Sequence, residues 1–189
     1  LTSLLAKHFN WEAQYEDVVE NPYLEDFYNQ MSRWSFNLQI FFLNSRFRQL
    51  MEIRQSGKNV IQDRTIYEDV EIFAKNLFDM GLMTDRDYKN YKALFHEMVN
   101  YLRPPDLLIY LRAEVPTLVR QIQQRGRNYE NTIRIEYLER LNGLYENWIE
   151  RYEHQKLIIN TDDLDFVNNS EDLGKVITLV EQRLYGLFN

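Results

Sequence analysis

The sequence has no cysteine, which excludes disulfides, thiolate metal sites and a cysteine nucleophile. This absence is typical of a reducing compartment, and we expect a cytoplasmic protein. The 6 glycines are scattered, so the chain holds no glycine-rich loop that could cradle a phosphate. No apolar run approaches the ~20 residues that cross a membrane.

Positively charged residues are also fewer than negatively charged ones. The chain carries 22 Lys+Arg against 29 Asp+Glu, a net charge of -7. Proteins that bind nucleic acids or anionic membranes in general recruit them with excess Lys and Arg, so we expect neither partner. The chain is rich in apolar residues: 44% of its residues are hydrophobic and 14% are aromatic, which excludes disorder. A length of 189 residues suits one domain.

Apolar residues at helical spacing and short apolar runs alternate along the chain. The predicted helices cover 1–9, 34–53, 67–80, 85–101, 116–125, 136–154 and 171–187, with one more short helix after Pro22. The predicted strands cover 13–15, 59–62, 106–111 and 157–160. This alternation predicts an α/β fold, with three layers in which a mostly parallel sheet is flanked by helices, over a single domain 1–189.

Each predicted strand runs directly into charged residues. These are Glu16-Asp17, Asp63-Arg64, Arg112 and Asp162-Asp163. In open α/β sheets ligands bind outside the carboxyl ends of the strands, so these groups could line one cleft. Chance placement of charge in loops is the alternative.

The long helix contains two polar residues on one apolar face. Gln39 and Arg46 are two turns apart, among Phe36, Phe42 and Tyr28. An amide and a guanidinium there could grip a flat heteroaromatic ring, although a solvated stripe is the alternative. Asp69 falls early in a following helix, where a carboxylate suits the helix dipole whatever its function.

The dense basic cluster of this acidic chain comprises Arg112, Arg120, Arg125 and Arg127. Its charge and geometry favour an oligophosphate, with a solvated helix face as the alternative. His8, His96 and His154 lack metal-ligand spacing, and neither a Ser-His-Asp order nor a G-x-S-x-G elbow occurs.

Several short motifs together resemble the deoxynucleoside kinases, most of all the bacterial deoxyadenosine/deoxyguanosine kinase branch. They are EDVVENPY at 16–23, RWSFNLQ at 33–39, DRT at 63–65, IYLR at 109–112 and RGRNYE at 125–130. The resemblance covers essentially the whole chain and implies a fold like that of the P-loop kinases.

The resemblance implies an enzyme of nucleotide salvage that transfers the γ-phosphoryl group of ATP to the 5′-hydroxyl of a deoxyribonucleoside. Glu16 matches the catalytic carboxylate that accepts the hydroxyl proton, and Arg64 the arginine that holds it. Asp63 matches the acidic residue associated, through water, with Mg²⁺.

Substrate-binding residues are implied in the same way. Gln39, Arg46 and Asp69 match the base-reading set, and a pairing of Arg46 with Asp69 suits a purine or cytosine better than thymine. Tyr28 and Glu130 match the residues that hold the 3′-hydroxyl. The matches for the phosphates and ATP are Arg112, Arg125, Arg127, Asp165 and Phe166, with an Arg-rich lid around 118–135.

Two departures from the family pattern stand out. The family's first strand and phosphate loop have no counterpart in this chain, so we expect the chain to be an N-terminally incomplete part of an active enzyme. Gln121 stands where a lid arginine often stacks on the donor adenine, which leaves donor specificity open.

Two other functions remain open at this stage. One is a non-catalytic nucleoside- or nucleotide-binding subunit without a phosphate loop. The other is a nucleoside monophosphate kinase, which Glu16 and the base-reading set favour less. The family is commonly dimeric, and the aromatic-rich long helix predicts a homodimer.

Overall fold

The computed structural model describes residues 1–16, 21–126 and 134–186. The chain divides into two compact units, here called the N-terminal unit (Thr2–Arg103) and the C-terminal unit (Leu1 with Pro104–Asn189). The boundary falls at Pro104-Pro105, where proline's fixed φ and missing N–H interrupt regular structure. A single domain over 1–189 stays a prediction.

The N-terminal unit is mainly helical. Its elements are α1 (Thr2–Phe9), β1 (Glu12–Gln14), α2 (Leu24–Asn29), α3 (Met31–Ser56), β2 (Val60–Gln62), α4 (Ile66–Glu68), a π-helical stretch (Asp69–Ala74), α5 (Lys75–Asp79) and α6 (Asp85–Val99). The long helix α3 ends at Gly57, whose φ of 64° is the left-handed conformation that glycine adopts without strain. The helix predicted over 34–53 is confirmed, and it is three residues longer at each end.

The segment predicted as one regular helix over 67–80 is helical but not regular. Asp69–Ala74 is π-helical, between α4 and α5. A π-helical turn holds more residues than an α-helical turn, so it shifts which side chains share a face. Counting at a period of 3.6 from α4 therefore does not place the residues of α5 correctly.

The core of the N-terminal unit lies between α2, α3, α6 and the helical segment 66–79. Its buried residues are Phe27, Leu38, Leu43, Ile66, Val70, Ala74, Leu77, Met83, Tyr91 and Phe95. Full burial of one such large apolar side chain contributes roughly 1.5–3 kcal/mol. This packing holds α3 against the segment that carries Asp69.

The C-terminal unit contains two strands and three helices within its described residues. They are β3 (Leu108–Arg112), α7 (Val115–Arg125), α8 (Ile135–Arg151), β4 (Lys156–Asn160) and α9 (Ser170–Tyr185). The side chain of Asn169 caps α9 by accepting from the backbone N–H of Glu171 at 2.9 Å. Its buried side chains include Leu108, Trp148, Ile149, Ile159, Val176 and Val180.

All four predicted strands are present, and both strand pairs are parallel as predicted. β1 pairs with β2, with Ala13 opposite Ile61, and β3 pairs with β4, with Tyr110 opposite Ile158. In the described part of the chain these pairs form two separate two-stranded sheets rather than the one sheet predicted. Pairing depends on backbone hydrogen bonds between distant segments, which the alternation of strands and helices does not specify. None of the described helices is long and apolar enough to span a membrane.

Candidate active site

Glu16 and the pair Asp63-Arg64 meet where β1 and β2 end. The strands run in parallel with Gln14 opposite Gln62, and the N–H of Asp63 donates to the carbonyl of Gln14 at 2.8 Å. Two predicted strand ends are therefore neighbours. The side chain of Glu16 is 18% exposed, so its carboxylate is largely withdrawn from water.

Arg46 connects two carboxylates from different elements. Its Nη2 contacts Oε1 of Glu16, and its Nε lies 2.7 Å from Oδ2 of Asp69. The side chains of Arg46 and Asp69 are each only 2% exposed. The pairing of Arg46 with Asp69 that the sequence predicted is present. The solvated-stripe alternative for Arg46 is wrong, because this residue is buried.

Arg64 lies on the other side of Glu16. Its Nε is 3.8 Å from Oε1 of Glu16, and its guanidinium lies 4.6 Å from the centre of the Phe73 ring. The φ of Arg64 is 70°, a conformation that costs a non-glycine residue energy. Of the two arginines, Arg46 is the closer to Glu16, which the motif resemblance did not indicate.

Burial and charge shift the pKa values in this cluster. Burial raises the pKa of Asp69 to about 6, and the adjacent Arg46 only partly offsets this effect. Burial by itself would lower the pKa of Arg46, but the carboxylates of Asp69 and Glu16 outweigh it and raise that pKa. Arg46 therefore stays a cation, while Asp69 titrates close to neutral pH.

Three buried polar atoms near this cluster have no hydrogen-bond partner among the residues that the structure describes. They are Oε1 of Gln39, Nη1 of Arg46 and the hydroxyl of Tyr91. Leaving such an atom unpaired costs about 1–3 kcal/mol, so it commonly marks a place where a ligand or water binds. Gln39 is 4% exposed, which rules out a solvated position for it as well.

Tyr28, the predicted partner of the 3′-hydroxyl, lies on α2. It is half-buried and packs edge-to-face on Phe27, with ring centres 5.3 Å apart. Its proposed companion Glu130 lies outside the described residues.

Three further features of this site escaped the sequence analysis. Tyr91 is fully buried in α6. Burial, and to a smaller extent the charge of Asp69, raises the pKa of Tyr91 well above the ordinary tyrosine value. Gln49 donates its amide to the carbonyl of Tyr15 at 3.1 Å. Thr65 and Glu68 form a capping box that begins α4. Only this last feature has a sequence signature, Thr-x-x-Glu before an apolar run.

Asp63, the predicted metal-associated residue, is exposed at the end of β2. No group of three or more His, Cys, Asp or Glu side chains that could hold a metal occurs in residues 1–16, 21–126 and 134–186. A single carboxylate is still compatible with Mg²⁺, because this ion is commonly bound through one or two carboxylates, waters and substrate phosphates.

In the C-terminal unit, Arg112 is engaged with Glu146 of α8. Its Nε and Nη2 donate to the two carboxylate oxygens at 3.0 Å and 2.7 Å. The hydroxyl of Tyr110 donates to the same carboxylate at 2.9 Å. The hydrogen bond to Glu146 raises the pKa of Arg112. Two of the five N–H donors of this guanidinium are therefore already used.

The remaining predicted phosphate and ATP residues lie at two places in the C-terminal unit. Arg125 is the exposed last residue of α7, while Arg127 lies outside the described residues, as do all residues of the predicted lid from 127 to 133. Asp165 begins a turn: its carboxylate accepts from Asn168 at 3.0 Å and its N–H donates to Asp172 at 3.1 Å. Phe166 follows and is half-buried.

The family model "Deoxynucleoside kinase" matches residues 1–185. The chain belongs to the deoxynucleoside kinase family. It is 40% identical over 180 residues to the deoxyadenosine/deoxycytidine kinase of Bacillus subtilis. The match covers 94% of this chain and 83% of that protein. It is 36% identical over 195 residues to the deoxyguanosine kinase of Lactobacillus johnsonii, covering 97% of this chain and 86% of the other.

Solved structures agree with this assignment. The deoxyadenosine kinase of M. mycoides with bound dCTP has a TM-score of 0.84 to this chain at 29% identity, covering 96% of this chain and 91% of that one. The predicted α/β kinase fold with parallel strands is confirmed. The predicted enzyme class, a deoxynucleoside kinase and hence a phosphotransferase, is confirmed as well.

Proposed function

We propose that this deoxynucleoside kinase uses ATP to phosphorylate the 5′-hydroxyl of a purine deoxyribonucleoside, deoxyadenosine or deoxyguanosine, in nucleotide salvage. The observation that carries the proposal is the buried series of ionic contacts from Asp69 through Arg46 to Glu16. It links a carboxylate suited to a base edge with a carboxylate suited to a sugar hydroxyl.

At the base end, Gln39, Arg46 and Asp69 read the nucleobase. An amide can donate to and accept from an adenine edge at the same time. The unpaired Oε1 of Gln39 and Nη1 of Arg46 supply an acceptor and a donor inside a buried site, where a mismatched base leaves them unsatisfied. The names of the relatives support a purine, since most of them are deoxyadenosine or deoxyguanosine kinases, although one is named for deoxycytidine as well and another for deoxycytidine alone.

At the sugar end, Glu16 orients the 5′-hydroxyl and takes its proton. Phosphoryl transfer through a loose transition state depends on positioning and on charge neutralisation, so the carboxylate need not be a strong base. Arg64, within 3.8 Å of Glu16, helps to hold it and neutralises charge on the transferring phosphate. Tyr28 and Glu130 hold the 3′-hydroxyl.

The phosphate donor is ATP, held by Arg112, Arg125, Arg127, Asp165 and Phe166. Arginine forks match phosphate oxygens in charge and geometry. Arg112 retains donors that Glu146 does not use, and Arg125 is exposed at the end of its helix. Asp63 would hold Mg²⁺ through water, and the ion would neutralise charge on the donor phosphates. The coupled assay described below, repeated with other nucleoside triphosphates, tests whether Gln121 alters the preference for the phosphate donor.

Assembly and location complete the proposal. The half-buried Trp34, Phe41 and Phe47 on α3 support a homodimer, which light scattering tests: a monomer alone would contradict it. Neither nucleic acid nor membrane is a partner, and the enzyme works in the cytoplasm.

A coupled assay on the protein expressed from its complete gene tests the activity. With ATP and Mg²⁺, kcat/KM should be highest for deoxyadenosine or deoxyguanosine and lowest for thymidine. Phosphorylation of thymidine alone would contradict the base-reading role of Gln39, Arg46 and Asp69. Deoxyadenosine monophosphate serves as the competing acceptor, and its preferential phosphorylation would indicate a nucleoside monophosphate kinase instead.

A further inference from the structure

Gln49 of α3 holds the main chain directly beside Glu16. Its side-chain Nε2 donates to the carbonyl oxygen of Tyr15 at 3.1 Å, and the residue is 9% exposed. Because Tyr15 is the residue before Glu16, this bond fixes the peptide unit from which the Glu16 side chain extends. The burial of Gln49 shields this partly buried hydrogen bond from much of the competition with water.

Gln62 fixes the orientation of the Gln49 amide. Its Nε2 donates to Oε1 of Gln49 at 3.3 Å, so the NH₂ end of Gln49 is the end that faces Tyr15. Gln62 is also the last residue of β2 and lies opposite Gln14 in the strand register. The two glutamines thus form a clamp, which we call the Gln49–Gln62 clamp, from β2 to the chain just after β1.

Gln49 and Arg46 contact neighbouring residues, Tyr15 and Glu16, from one helix. Gln49 follows Arg46 by three residues, so the two side chains leave α3 on the same face. Arg46 contacts the carboxylate of Glu16, while Gln49 holds the preceding carbonyl. Side chain and main chain of the catalytic segment are therefore held separately.

We propose that Gln49 is a positioning residue for catalysis: through Tyr15 it holds Glu16 where the 5′-hydroxyl reacts, without touching the nucleoside. This inference rests on the proposed role of Glu16. A second anchor matters because β1 is only three residues long, Glu12–Gln14, and ends before Glu16. A displacement of roughly 1 Å in a reacting group can lower a rate by about a hundredfold.

The main test is Gln49→Met, which keeps the side-chain length and removes the amide. We expect kcat to fall by about tenfold or more, and KM for the deoxynucleoside to change by less than about twofold. Gln155→Met is the matched control, because the amide of Gln155 also donates to a backbone carbonyl, that of Arg183, in the C-terminal unit. It should leave kcat unchanged. Gln62→Met should give a smaller loss of kcat than Gln49→Met, since Gln49 then remains but is free to turn.

A double substitution separates positioning from a general structural effect. In a Glu16→Gln background the carboxylate that takes the proton is absent, so adding Gln49→Met should lower the residual rate by less than about twofold. If Gln49→Met lowered kcat in that background by the same factor as in the unsubstituted protein, the proposal would be overturned. An unchanged kcat in Gln49→Met alone would overturn it as well.

Hydrogen exchange tests the Gln49–Gln62 clamp independently of enzyme turnover. Peptides that span Glu12–Glu16 should exchange faster in Gln49→Met than in the unsubstituted protein or in Gln155→Met. Equal exchange in all three would overturn the clamp whether or not the enzyme is active. Faster exchange in a protein that phosphorylates no deoxynucleoside would instead refute the proposed function and, with it, the catalytic purpose of the clamp.

Discussion

The Nε atom of Arg46 lies 2.7 Å from Oδ2 of Asp69, with both side chains 2% exposed. The same guanidinium contacts Glu16, so one buried cation serves two carboxylates that come from a strand end and a π-helical stretch. Removing charges from water is costly, and such a group is stable only while its partners remain. Glu16 of the proposed catalytic residues and Arg46 and Asp69 of the proposed base-reading set are therefore one ionic unit.

Replacing Arg46 by Met should destabilise the protein by about 3–5 kcal/mol, because two largely buried carboxylates lose their shared cation. Deoxynucleoside phosphorylation should fall with it. Urea unfolding measures the first effect and steady-state kinetics the second. Arg54→Met is the control on the same helix, since Arg54 is exposed and donates to the carbonyl of Tyr101. A loss in Arg46→Met no larger than in this control would contradict the ionic unit.

Asp69 should make stability depend on pH in a defined direction. Burial raises its pKa from 3.8 to about 6 in the folded protein. Between these values the unfolded chain has released the proton and the folded protein retains it. The contribution of Asp69 to the free energy of unfolding therefore decreases as pH rises through this window, by about 3 kcal/mol in all.

Comparison with Asp69→Asn isolates this contribution. The difference in the free energy of unfolding between the unsubstituted protein and Asp69→Asn should decrease as pH rises from about 4 to about 6. Asp85→Asn is the control, because Asp85 is an exposed carboxylate paired with Lys89. A difference that is constant across the window would show that Asp69 has no raised pKa.

Replacing Tyr91 by Phe should leave the free energy of unfolding unchanged or raise it by up to about 1 kcal/mol. The hydroxyl of Tyr91 is buried without a hydrogen-bond partner in the described part of the chain, so removing it also removes a desolvation penalty. Tyr110→Phe is the matched comparison, since that hydroxyl donates to Glu146 at 2.9 Å. It should cost about 1 kcal/mol. Thermal unfolding measures both, and a similar loss in Tyr91→Phe would reveal a partner for its hydroxyl.

Replacing Glu16 by Gln should lower kcat by about 10²–10⁴-fold, the usual contribution of a positioned base. Deoxynucleoside binding, measured by calorimetry, should change little, because the amide can still bond to the 5′-hydroxyl. The control is Glu12→Gln on β1, where the exposed Glu12 pairs with Lys58. Full turnover in Glu16→Gln would remove this residue from the reaction.

Replacing Arg112 by Lys should raise KM for ATP if the guanidinium binds phosphate, because Lys keeps the charge and loses the fork. Glu146→Gln weakens the competing partner and should leave this KM unchanged or lower it. Arg151→Lys on α8 is the control, since Arg151 donates to the carbonyl of Asn147. An unchanged KM for ATP in Arg112→Lys would make the Arg112–Glu146 pair purely structural.

Much of this molecule follows from local sequence. Glycine at position 57 ends α3, Pro104-Pro105 marks the boundary between the units, and short apolar runs form β2, β3 and β4. The motif set led to the deoxynucleoside kinases and to the pairing of Arg46 with Asp69. The end of α3, the boundary and the strands are set by residues close in sequence, through backbone geometry and periodicity. The family and the pairing were inferred from the resemblance.

Only the tertiary structure decided how the site is held together. Arg46 reaches Glu16 across 30 residues and Gln49 reaches Tyr15 across 34. Such contacts depend on how a helix packs against a strand end, which no spacing rule specifies. The π-helical stretch that carries Asp69 and the pairing of the strands belong to the same class. Sequence by itself determined which groups are available to this kinase, and packing decided which of them share one buried charge.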